Sequence, residues 1–511
     1  MSERATQTAA ALRATGVEHL FGVTGSGFSL TLIEAFEAAG GTYFAASHEA
    51  AAAMMAGASA RVRRSIGAAL TIKGPGFANA MPGQLSNLYE GWPVISISEA
   101  YAAERAGRAH KLLDQRRASA QFVKAYGSLG DPAGTISDLT AIALEETPGP
   151  VHLDVPARDE PHLDRLVAAS APAHVDTPFG GVLTAARRPV VIAGSLAVRR
   201  GWASRLAALE LPVFTTVAAK GLIDETLPQA AGIYTGDGQE QSVERQMLPS
   251  ADLVIGIGLR SAEVLTPCPF GVPLLLIDEI DGAAGGFDAP VRSADAIDEI
   301  WAALANRRWG LDEVAVAHGA LKAHLMRDRW LPAGVFMQLQ EALPAARLVS
   351  DTGLFCTAAE HIWRSRTPLD MLASANGRFM GTGIPMAIGA AVADRSHPVI
   401  CAVGDGGLPV GASELRLVID ERLPLLIVFM TDGGYGSVAG PAGFAARSAR
   451  ATAMRSPSWW RLIEAAGIPS CRATDLASFD RALAAWDQSS PRLIEAAFDA
   501  PAYARSTAGV R

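Results

Sequence analysis

Short runs of aliphatic residues alternate with alanine-rich segments along the whole chain, and this alternation most constrains its fold. Buried strands of a parallel sheet are apolar on both faces, so their sequences are nearly continuous aliphatic runs. The alanine-rich segments between them are typical of crossover helices. The chain is therefore predicted to be an α/β protein with parallel sheets. The predicted strands are residues 68–72, 94–97, 189–192, 253–257, 274–277, 399–403 and 425–430.

Two changes in composition divide the 511 residues into three segments. Residues 161–178 are rich in Ala, Pro, His and Asp, and they precede a new strand. Residues 309–332 are polar and helical in pattern, and they precede another series of strands and helices. We predict three domains, over residues 1–165, 175–305 and 330–511. The absence of a repeat of about 20–50 residues excludes solenoids and propellers.

The composition excludes several classes of protein. Hydrophobic residues make up 49% and charged residues 19% of the chain, which excludes a disordered protein. The net charge of −8 provides no basic field for nucleic acid or for an anionic membrane surface. The aliphatic runs are too short to span a bilayer, and no apolar run follows a basic start. The four cysteines form no CxxC pair, so we expect a cytoplasmic protein without disulfides.

Two glycine-rich turns that contain aspartates carry the clearest chemical signal. Asp405 lies in the turn Gly404-Asp-Gly-Gly407, and Asp432 lies in the turn Thr431-Asp-Gly-Gly-Tyr-Gly436. Each turn follows a predicted strand, and ligands bind at the carboxyl ends of parallel strands. Glycines let the backbone approach a phosphate, and Mg²⁺ shares its ligand shell between carboxylates and phosphate oxygens. Either aspartate alone is better explained as a helix cap, but the pair favours a metal–phosphate site.

These turns resemble those of the thiamine diphosphate-dependent enzymes of the acetolactate synthase, benzoylformate decarboxylase and pyruvate oxidase group. In that group GDG is followed, after a similar spacer, by a pair of asparagines, which Thr431-Asp432 replaces here. The resemblance implies that Mg²⁺ is held by the side chains of Asp405 and Asp432 and by the backbone carbonyl of Gly434. Further stretches are similar to family motifs in the family's order: residues 21–27, 47–50, 73–79, 219–225, 351–353, 377–381 and 384–389.

The resemblance also implies which residues bind and activate the cofactor. Glu49 would contact N1′ of the aminopyrimidine ring and favour the imino tautomer, whereas a plain first-turn glutamate is the alternative. Met380 would be the apolar wedge that bends the cofactor, whereas core filling is the alternative. The remaining residues expected at the cofactor are Thr352, Gly353, Gly404, Gly406, Gly407, Tyr435 and Gly436.

Three residues are candidates for contact with the substrate. His110 lies near a position at which members of the group carry Gln or His, and it would protonate the reaction intermediate. A surface histidine is the equally weighted alternative. Lys73 replaces a small residue before a Gly-Pro-Gly turn and, as a lone cation at a strand end, would bind a substrate carboxylate or a second anion. An exposed loop lysine is the alternative. Ser26 is predicted either to face the substrate or to be a turn serine without a role at the site.

By resemblance, the three domains bind the pyrimidine ring, form a Rossmann-like middle unit and bind the diphosphate. Glu49 and Asp405 would serve one cofactor from different chains, so the resemblance implies a homodimer or homotetramer. The implied activity is decarboxylation or carboligation of a small 2-oxo acid through a cofactor-bound enamine. The alternatives are an acetolactate synthase-type carboligase, a 2-hydroxyacyl- or oxalyl-CoA lyase with CoA near Arg447, Arg450 and Arg455, and a catalytically silent relative. Binding of FAD by the middle domain is left open.

Overall fold

The fold is α/β, with three separate sheets. The computed structural model describes residues 2–101, 110–168, 171–173, 180–281, 285–287, 289–439, 449–454 and 457–511. Within these residues the sheets contain seven, six and six strands, and the strand pairs are parallel except for one pair in the first sheet. The predicted fold class is therefore confirmed. Each sheet lies within one of the three predicted segments.

The first sheet has the strand order β2-β1-β3-β4-β6-β5-β7, in which β7 is antiparallel to β5. Its strands are β1 His19–Gly22, β2 Thr42–Ala45, β3 Gly67–Thr71, β4 Val94–Ala100, β5 Ala125–Ser128, β6 Val151–Pro156 and β7 His162–Arg165. Its helices are α1 Glu3–Ala14, α2 Phe28–Ala38, α3 Glu49–Arg63, α4 Pro75–Glu90, α5 Gln115–Ser119 and α6 Pro132–Leu144.

The middle sheet is entirely parallel, with the order β10-β9-β8-β11-β12-β13. Its strands are β8 Pro189–Ala193, β9 Val213–Thr215, β10 Ala230–Ile233, β11 Leu253–Ile257, β12 Leu274–Asp278 and β13 Val291–Ser293. Its helices are α7 Gly180–Ala185, α8 Ser195–Arg199, α9 Ala203–Ala207, α10 Val243–Met247 and α11 Ile297–Leu304, and α12 Leu311–Leu325 leads to the third sheet.

The third sheet is also parallel, with the order β15-β14-β16-β17-β19-β18. Its strands are β14 Arg347–Ser350, β15 Met371–Ala373, β16 Val399–Gly404, β17 Leu425–Thr431, β18 Ser470–Ala473 and β19 Arg492–Ala497. Its helices are α13 Pro332–Ala342, α14 Leu354–Ile362, α15 Gly383–Ala393, α16 Gly407–Gly411, α17 Leu415–Asp420, α18 Gly436–Ala439, α19 Ala449–Thr452, α20 Trp459–Ala465, α21 Leu476–Ala484 and α22 Ala500–Ala504.

Helix α3 is packed against helices of two different segments. Residues 49–60 of this helix are all buried. A Cβ at Gly83 of α4 would lie 2.3 Å from the carbonyl oxygen of Ala50, and one at Gly389 of α15 would lie 2.2 Å from that of Met55. The three helix backbones therefore touch, which joins the first segment to the third and fixes the start of α3, where Glu49 lies.

A buried ion pair joins the middle segment to the third. The Lys220 ammonium donates to both carboxylate oxygens of Glu225, at 2.8 and 2.6 Å, and each side chain is 4% exposed. The backbone N–H of Ser365 donates to Glu225 Oε2 at 2.8 Å. Charged groups are almost never this deeply buried unless they are paired, so this pair is a fixed part of the junction.

All seven predicted strands are confirmed, with small shifts at their ends. The segment after the GDG turn forms α16, a 3₁₀ turn over Ala412–Glu414 and α17 rather than one continuous α-helix. Gly411 ends the first of these helices, consistent with the low helix propensity of glycine. The four cysteines are free, as expected. In the described part of the chain, every helix is too short or too polar to cross a bilayer.

Candidate active site

Asp405 is the centre of a cluster at the carboxyl edge of the third sheet. Strands β16 and β17 are neighbours in register from Val399 opposite Leu425 to Gly404 opposite Met430, so the turns that follow them meet. The Asp405 carboxylate is 3% exposed. It accepts hydrogen bonds from Thr431 Oγ1 at 2.7 Å and from the backbone N–H groups of Asp432 and Gly433, each at 3.2 Å. The structure thus brings the two predicted turns together.

Gly406 and Gly407 leave no room for a side chain at this edge. A Cβ at Gly406 would lie 2.3 Å from Met380 Sδ and 2.9 Å from the Tyr435 ring. A Cβ at Gly407 would lie 1.8 Å from Asp351 Oδ2. Met380 and Tyr435 therefore lie directly against the GDG turn, and Met380 remains 45% exposed. Such a glycine cradle is what close backbone approach to a diphosphate requires.

The two aspartates of the cluster affect each other electrostatically. Burial raises the pKa of Asp405, although its hydrogen-bond donors oppose the shift. Burial and the charge of Asp405 together raise the pKa of Asp432 to about 6. Two carboxylates this close disfavour joint ionisation in the absence of a cation. A divalent cation would relieve that repulsion.

Asp351 is a buried carboxylate to which the sequence analysis gave no role. It accepts hydrogen bonds from the N–H of Thr352 at 2.7 Å and from the N–H of Gly381 at 2.9 Å. Burial raises the pKa of this carboxyl to about 7. Asp351 therefore ties the segment after β14, with Thr352 and Gly353, to the segment that carries Met380. The Asp-Thr-Gly motif was the sequence signal for this role.

The second aspartate turn is held by later parts of the chain. The backbone N–H of Tyr435 donates to the Thr452 carbonyl at 2.8 Å, and that of Met454 donates to the Gly433 carbonyl at 2.9 Å. A Cβ at Gly436 would lie 2.6 Å from the ring of Tyr503, which is buried. Gly434 forms an isolated bridge with Ala453. The turn is thus fixed on both sides.

Glu49 begins helix α3 and is 8% exposed. Asn79 Nδ2 donates to Glu49 Oε2 at 3.1 Å. A Cβ at Gly76 would lie 3.2 Å from Glu49 Oε1, so the second glycine of the Gly-Pro-Gly turn lies directly beside the carboxylate. The preceding His48 caps the helix, because its Nδ1 accepts the N–H of Ala50 at 3.1 Å.

The interpretation of Lys73 as a lone cation is wrong. Its ammonium donates to Glu99 Oε2 at 2.7 Å and lies 5.0 Å from the centre of the Tyr101 ring. Glu99 Oε1 accepts the N–H and the hydroxyl of Ser29, at 3.0 and 2.9 Å. Burial would raise the pKa of Glu99, but Lys73 and Ser29 lower it overall. Neighbouring strands β3 and β4 bring the two charges together, and neither strand's own sequence shows that pairing.

His110 and Ser26 are exposed. The Tyr101 hydroxyl donates to the backbone carbonyl of His110 at 2.9 Å. A nearby cavity of about 530 Å³ is lined by Lys73 and by Gln115, which the sequence analysis did not assign. The Gln115 side chain accepts the N–H of Gly74 at 2.8 Å. The proposed roles of His110, Ser26 and Lys73 with substrate stay predictions.

The predicted site residues form two groups in this chain. The first group lies around the carboxyl edge of the first sheet, and the second around that of the third sheet. Among the described residues, no hydrogen bond, ion pair or ring contact joins a member of one group to a member of the other. The first group is Ser26, Glu49, Lys73 and His110; the second is Thr352, Gly353, Met380, Gly404, Asp405, Gly406, Gly407, Asp432, Gly434, Tyr435 and Gly436.

A chain with three α/β sheets and a glycine-lined pair of carboxylates at a strand edge has the features of a diphosphate-binding enzyme. Three models of one family match it in order. They are the N-terminal thiamine pyrophosphate (TPP, or thiamine diphosphate) binding domain over residues 3–120, the central domain over 181–273 and the C-terminal TPP binding domain over 351–496. The chain belongs to the thiamine pyrophosphate enzymes.

Curated relatives share most of the length of the chain at low identity. A probable 2-ketoarginine decarboxylase, AruI, of Pseudomonas aeruginosa is 28% identical over 83% of this chain and 81% of its own. A probable acetolactate synthase large subunit of Methanocaldococcus jannaschii is 24% identical over 90% and 86%. A 2-hydroxyacyl-CoA lyase of Oryza sativa subsp. japonica is 25% identical over 83% and 82%. The relatives are decarboxylases, synthases and lyases, and this chain is an enzyme of that kind.

Proposed function

We propose that this enzyme is a thiamine diphosphate- and magnesium-dependent decarboxylase or carboligase that acts on a 2-oxo acid. The observation that carries the proposal is the pairing of Asp405 and Asp432 at neighbouring strand ends, beside the glycine cradle of Gly406 and Gly407. The name of the AruI relative supports decarboxylation. The bound cofactor would supply the electron sink that lets a 2-oxo acid release carbon dioxide.

The donor set fits magnesium shared with a diphosphate. Among the described residues, no group of three or more His, Cys, Asp or Glu side chains is placed to hold a metal. The ion would therefore take the carboxylates of Asp405 and Asp432, the carbonyl of Gly434 and further oxygens from the diphosphate and water. Asp432 keeps an oxygen ligand where the family has asparagine and adds a negative charge.

The residues of this chain would position the cofactor and move its proton. Glu49 would hold N1′ of the aminopyrimidine, with Asn79 fixing its carboxylate. Met380, exposed beside the GDG turn, would support the bent cofactor. The separation of the two groups of site residues supports a site shared between two chains, so we propose a homodimer or homotetramer. A cytoplasmic location is proposed with it.

Two other activities within the family remain candidates. The names of the relatives support an acetolactate synthase-type carboligase and a 2-hydroxyacyl-CoA lyase. Of the arginines expected near CoA, Arg450 is exposed, and Arg447 and Arg455 lie outside the described residues. Incubation with thiamine diphosphate, Mg²⁺ and a panel of 2-oxo acids, followed by mass spectrometry, distinguishes aldehyde, acyloin and CoA products.

Thermal unfolding tests the cofactor site directly. A ligand that binds only the folded state at about 100 times its Kd stabilises it by about 2.7 kcal/mol. Thiamine diphosphate with Mg²⁺ should therefore raise the Tm of the wild type. Asp405→Ala should abolish the rise, whereas Asp420→Ala, which removes an exposed aspartate of the same segment, should keep it. A wild-type Tm that does not respond to millimolar cofactor would contradict the proposal.

The proposed role of Glu49 has its own test. Glu49→Gln should keep cofactor binding but slow hydrogen–deuterium exchange at C2 of the bound thiazolium, because the amide cannot exchange a proton with N1′ as a carboxyl does. The exposed Glu37→Gln is the matched control. Unchanged exchange in Glu49→Gln would return this residue to the role of a first-turn glutamate.

A further inference from the structure

The middle sheet has the strand arrangement of a dinucleotide-binding domain. Numbered in chain order, its strands lie 3-2-1-4-5-6: strands β9 and β10 are added on one side of β8, and β11 to β13 are added on its other side. Ligands of such sheets bind at this switch point, outside the carboxyl ends of the strands, with the phosphate at the start of the helix that follows the first strand. The fold alone therefore predicts FAD or another nucleotide beside Gly194 and Gly258.

The switch point of this chain is instead filled by its own carboxylate. Glu263 Oε2 accepts the N–H of Ser195, the first residue of α8, at 2.8 Å and the hydroxyl of Thr216 at 2.7 Å. Glu263 Oε1 accepts the hydroxyl of Ser195. Glu263 is 6% exposed. The Glu263 carboxylate thus accepts the hydrogen bonds that these donors would otherwise make to a cofactor phosphate.

The backbone on either side of Glu263 leaves no gap for a pyrophosphate. The Gly194 N–H donates to the Ile257 carbonyl at 2.9 Å. A Cβ at Gly194 would lie 1.9 Å from the carbonyl oxygen of Gly258, and one at Gly258 would lie 2.6 Å from the Cβ of Leu196. Because Gly194 and Gly258 carry no side chains, the backbones at the ends of β8 and β11 lie in direct contact. This contact closes the crevice between the two strand ends.

The neighbouring polar groups are also satisfied internally. Folds of this kind place an acidic residue for the ribose after the second strand, where this chain has Thr216, a donor to Glu263. Arg260, beside the crevice, donates to both oxygens of Asp278, at 2.9 and 2.7 Å, and to Glu146 at 2.6 Å. The Arg260 and Asp278 side chains are 5% and 3% exposed.

We propose that the middle domain is closed to FAD and other nucleotides because Glu263 occupies, as a built-in anion, the position of the cofactor phosphate. FAD therefore does not fit this chain. The inference rests on the contacts of the middle domain and is independent of the thiamine diphosphate site.

The first measurement uses the full-length wild type as purified. After denaturation, the supernatant should contain no flavin fluorescence, and millimolar FAD or ADP should leave the Tm unchanged. Release of flavin in stoichiometric amount, or a rise in Tm with either nucleotide, would overturn the proposal. A failure of thiamine diphosphate to bind would contradict the proposed function and leave this result intact.

The second measurement removes the built-in anion. Glu263→Ala frees the N–H of Ser195 and the hydroxyl of Thr216, so inorganic phosphate should raise the Tm of this variant by roughly 2–4 °C.

The control is Glu244→Ala, which removes another buried carboxylate of the same domain that accepts backbone N–H groups. It should show no such rise, nor should the wild type. If Glu263→Ala does not fold, Glu263→Ser, which also vacates the position of the carboxylate, takes its place with the same expectation. An equal phosphate response in Glu263→Ala and Glu244→Ala would overturn the proposal.

Discussion

Lys73 and Glu99 show how a single side-chain contact changes the interpretation of a residue. The lysine was predicted to bind an anionic group of the substrate, whereas its Nζ lies 2.7 Å from the Oε2 atom of Glu99 in the same chain. Glu99 also receives two donors from Ser29 at the start of α2. Any contact between Lys73 and a substrate anion would therefore have to compete with, or add to, this pair.

Lys73→Met should destabilise the protein by about 1–3 kcal/mol, because the buried Glu99 carboxylate loses its cation. Glu99→Gln made in the same chain should recover most of that loss, since it removes the unpaired charge. Urea unfolding of the single and double variants measures the coupling. The exposed pair of Arg416 and Asp420 is the control, and Arg416→Met should cost about 0–1 kcal/mol. Simple additivity of the two changes at Lys73 and Glu99 would contradict the expected coupling.

His318 provides a prediction about pH. Its Nε2 bonds to the Ala230 carbonyl at 3.0 Å, and Arg364 donates to its Nδ1 at 3.4 Å. Burial and the charge of Arg364 lower the pKa of this imidazole to about 4, against an ordinary value of 6.5. Between pH 6.5 and about pH 4 the unfolded chain therefore binds more protons at this imidazole than the folded protein does. The contribution of His318 to the free energy of unfolding is therefore fully present above pH 6.5 and is lost as the pH falls through about 4.

His318→Gln should flatten the fall in stability between pH 6.5 and pH 4. The slope should change by up to about 1.4 kcal/mol per pH unit, the value for one proton. Urea unfolding of wild type and variant at several pH values measures the difference. Parallel curves for the two proteins would show that the imidazole does not titrate between these limits.

At the scale of elements, two glycines in helices test how closely α3 is packed. Gly389 of α15 faces the backbone of α3, whereas Gly319 of α12 has no neighbour within 4 Å of an added Cβ. Alanine favours helix over glycine by about 1 kcal/mol, so Gly319→Ala should stabilise the protein by up to that amount. Gly389→Ala should instead destabilise it, since its methyl group would collide with the Met55 carbonyl.

Thermal unfolding of the two alanine variants measures both effects. Stabilisation by Gly389→Ala would mean that α3 and α15 separate easily, contrary to the close approach described above. The pair is informative because the chemical change is identical at both positions and only the surroundings differ.

The strands and the diphosphate turns were predictable because their signals are local. A buried parallel strand requires a run of aliphatic residues, and the motifs of 404–407 and 431–436 are continuous in sequence. The contacts of Glu99 and Glu263 were not predictable in this way. Each depends on which strand ends become neighbours, since β3 lies beside β4 and β8 beside β11. Asp351 lay within a recognised motif, but only the fold shows that its carboxylate holds the Met380 segment.

At the scale of the whole molecule, the Lys220–Glu225 pair holds the middle segment to the third. Glu225→Gln would leave a buried ammonium without its carboxylate, which costs about 3–5 kcal/mol. Urea unfolding should show this loss, and Lys220→Met in the same chain should recover most of it. Exposed ion pairs contribute about 0–1 kcal/mol to the free energy of unfolding. A loss this small in Glu225→Gln would contradict the conclusion that the buried pair stabilises the junction.

The packing of α3 between α4 and α15 has a consequence for synthesis on the ribosome. Domains generally fold as units, with the N-terminal one first. Here the small-residue face of α3 that meets Gly389 has no partner until the chain has been translated beyond residue 393. A nascent chain that ends before this point therefore displays an uncovered apolar helix face, to which chaperones bind. Arrested chains that end before α15 should be more sensitive to protease within α3 than chains that include it.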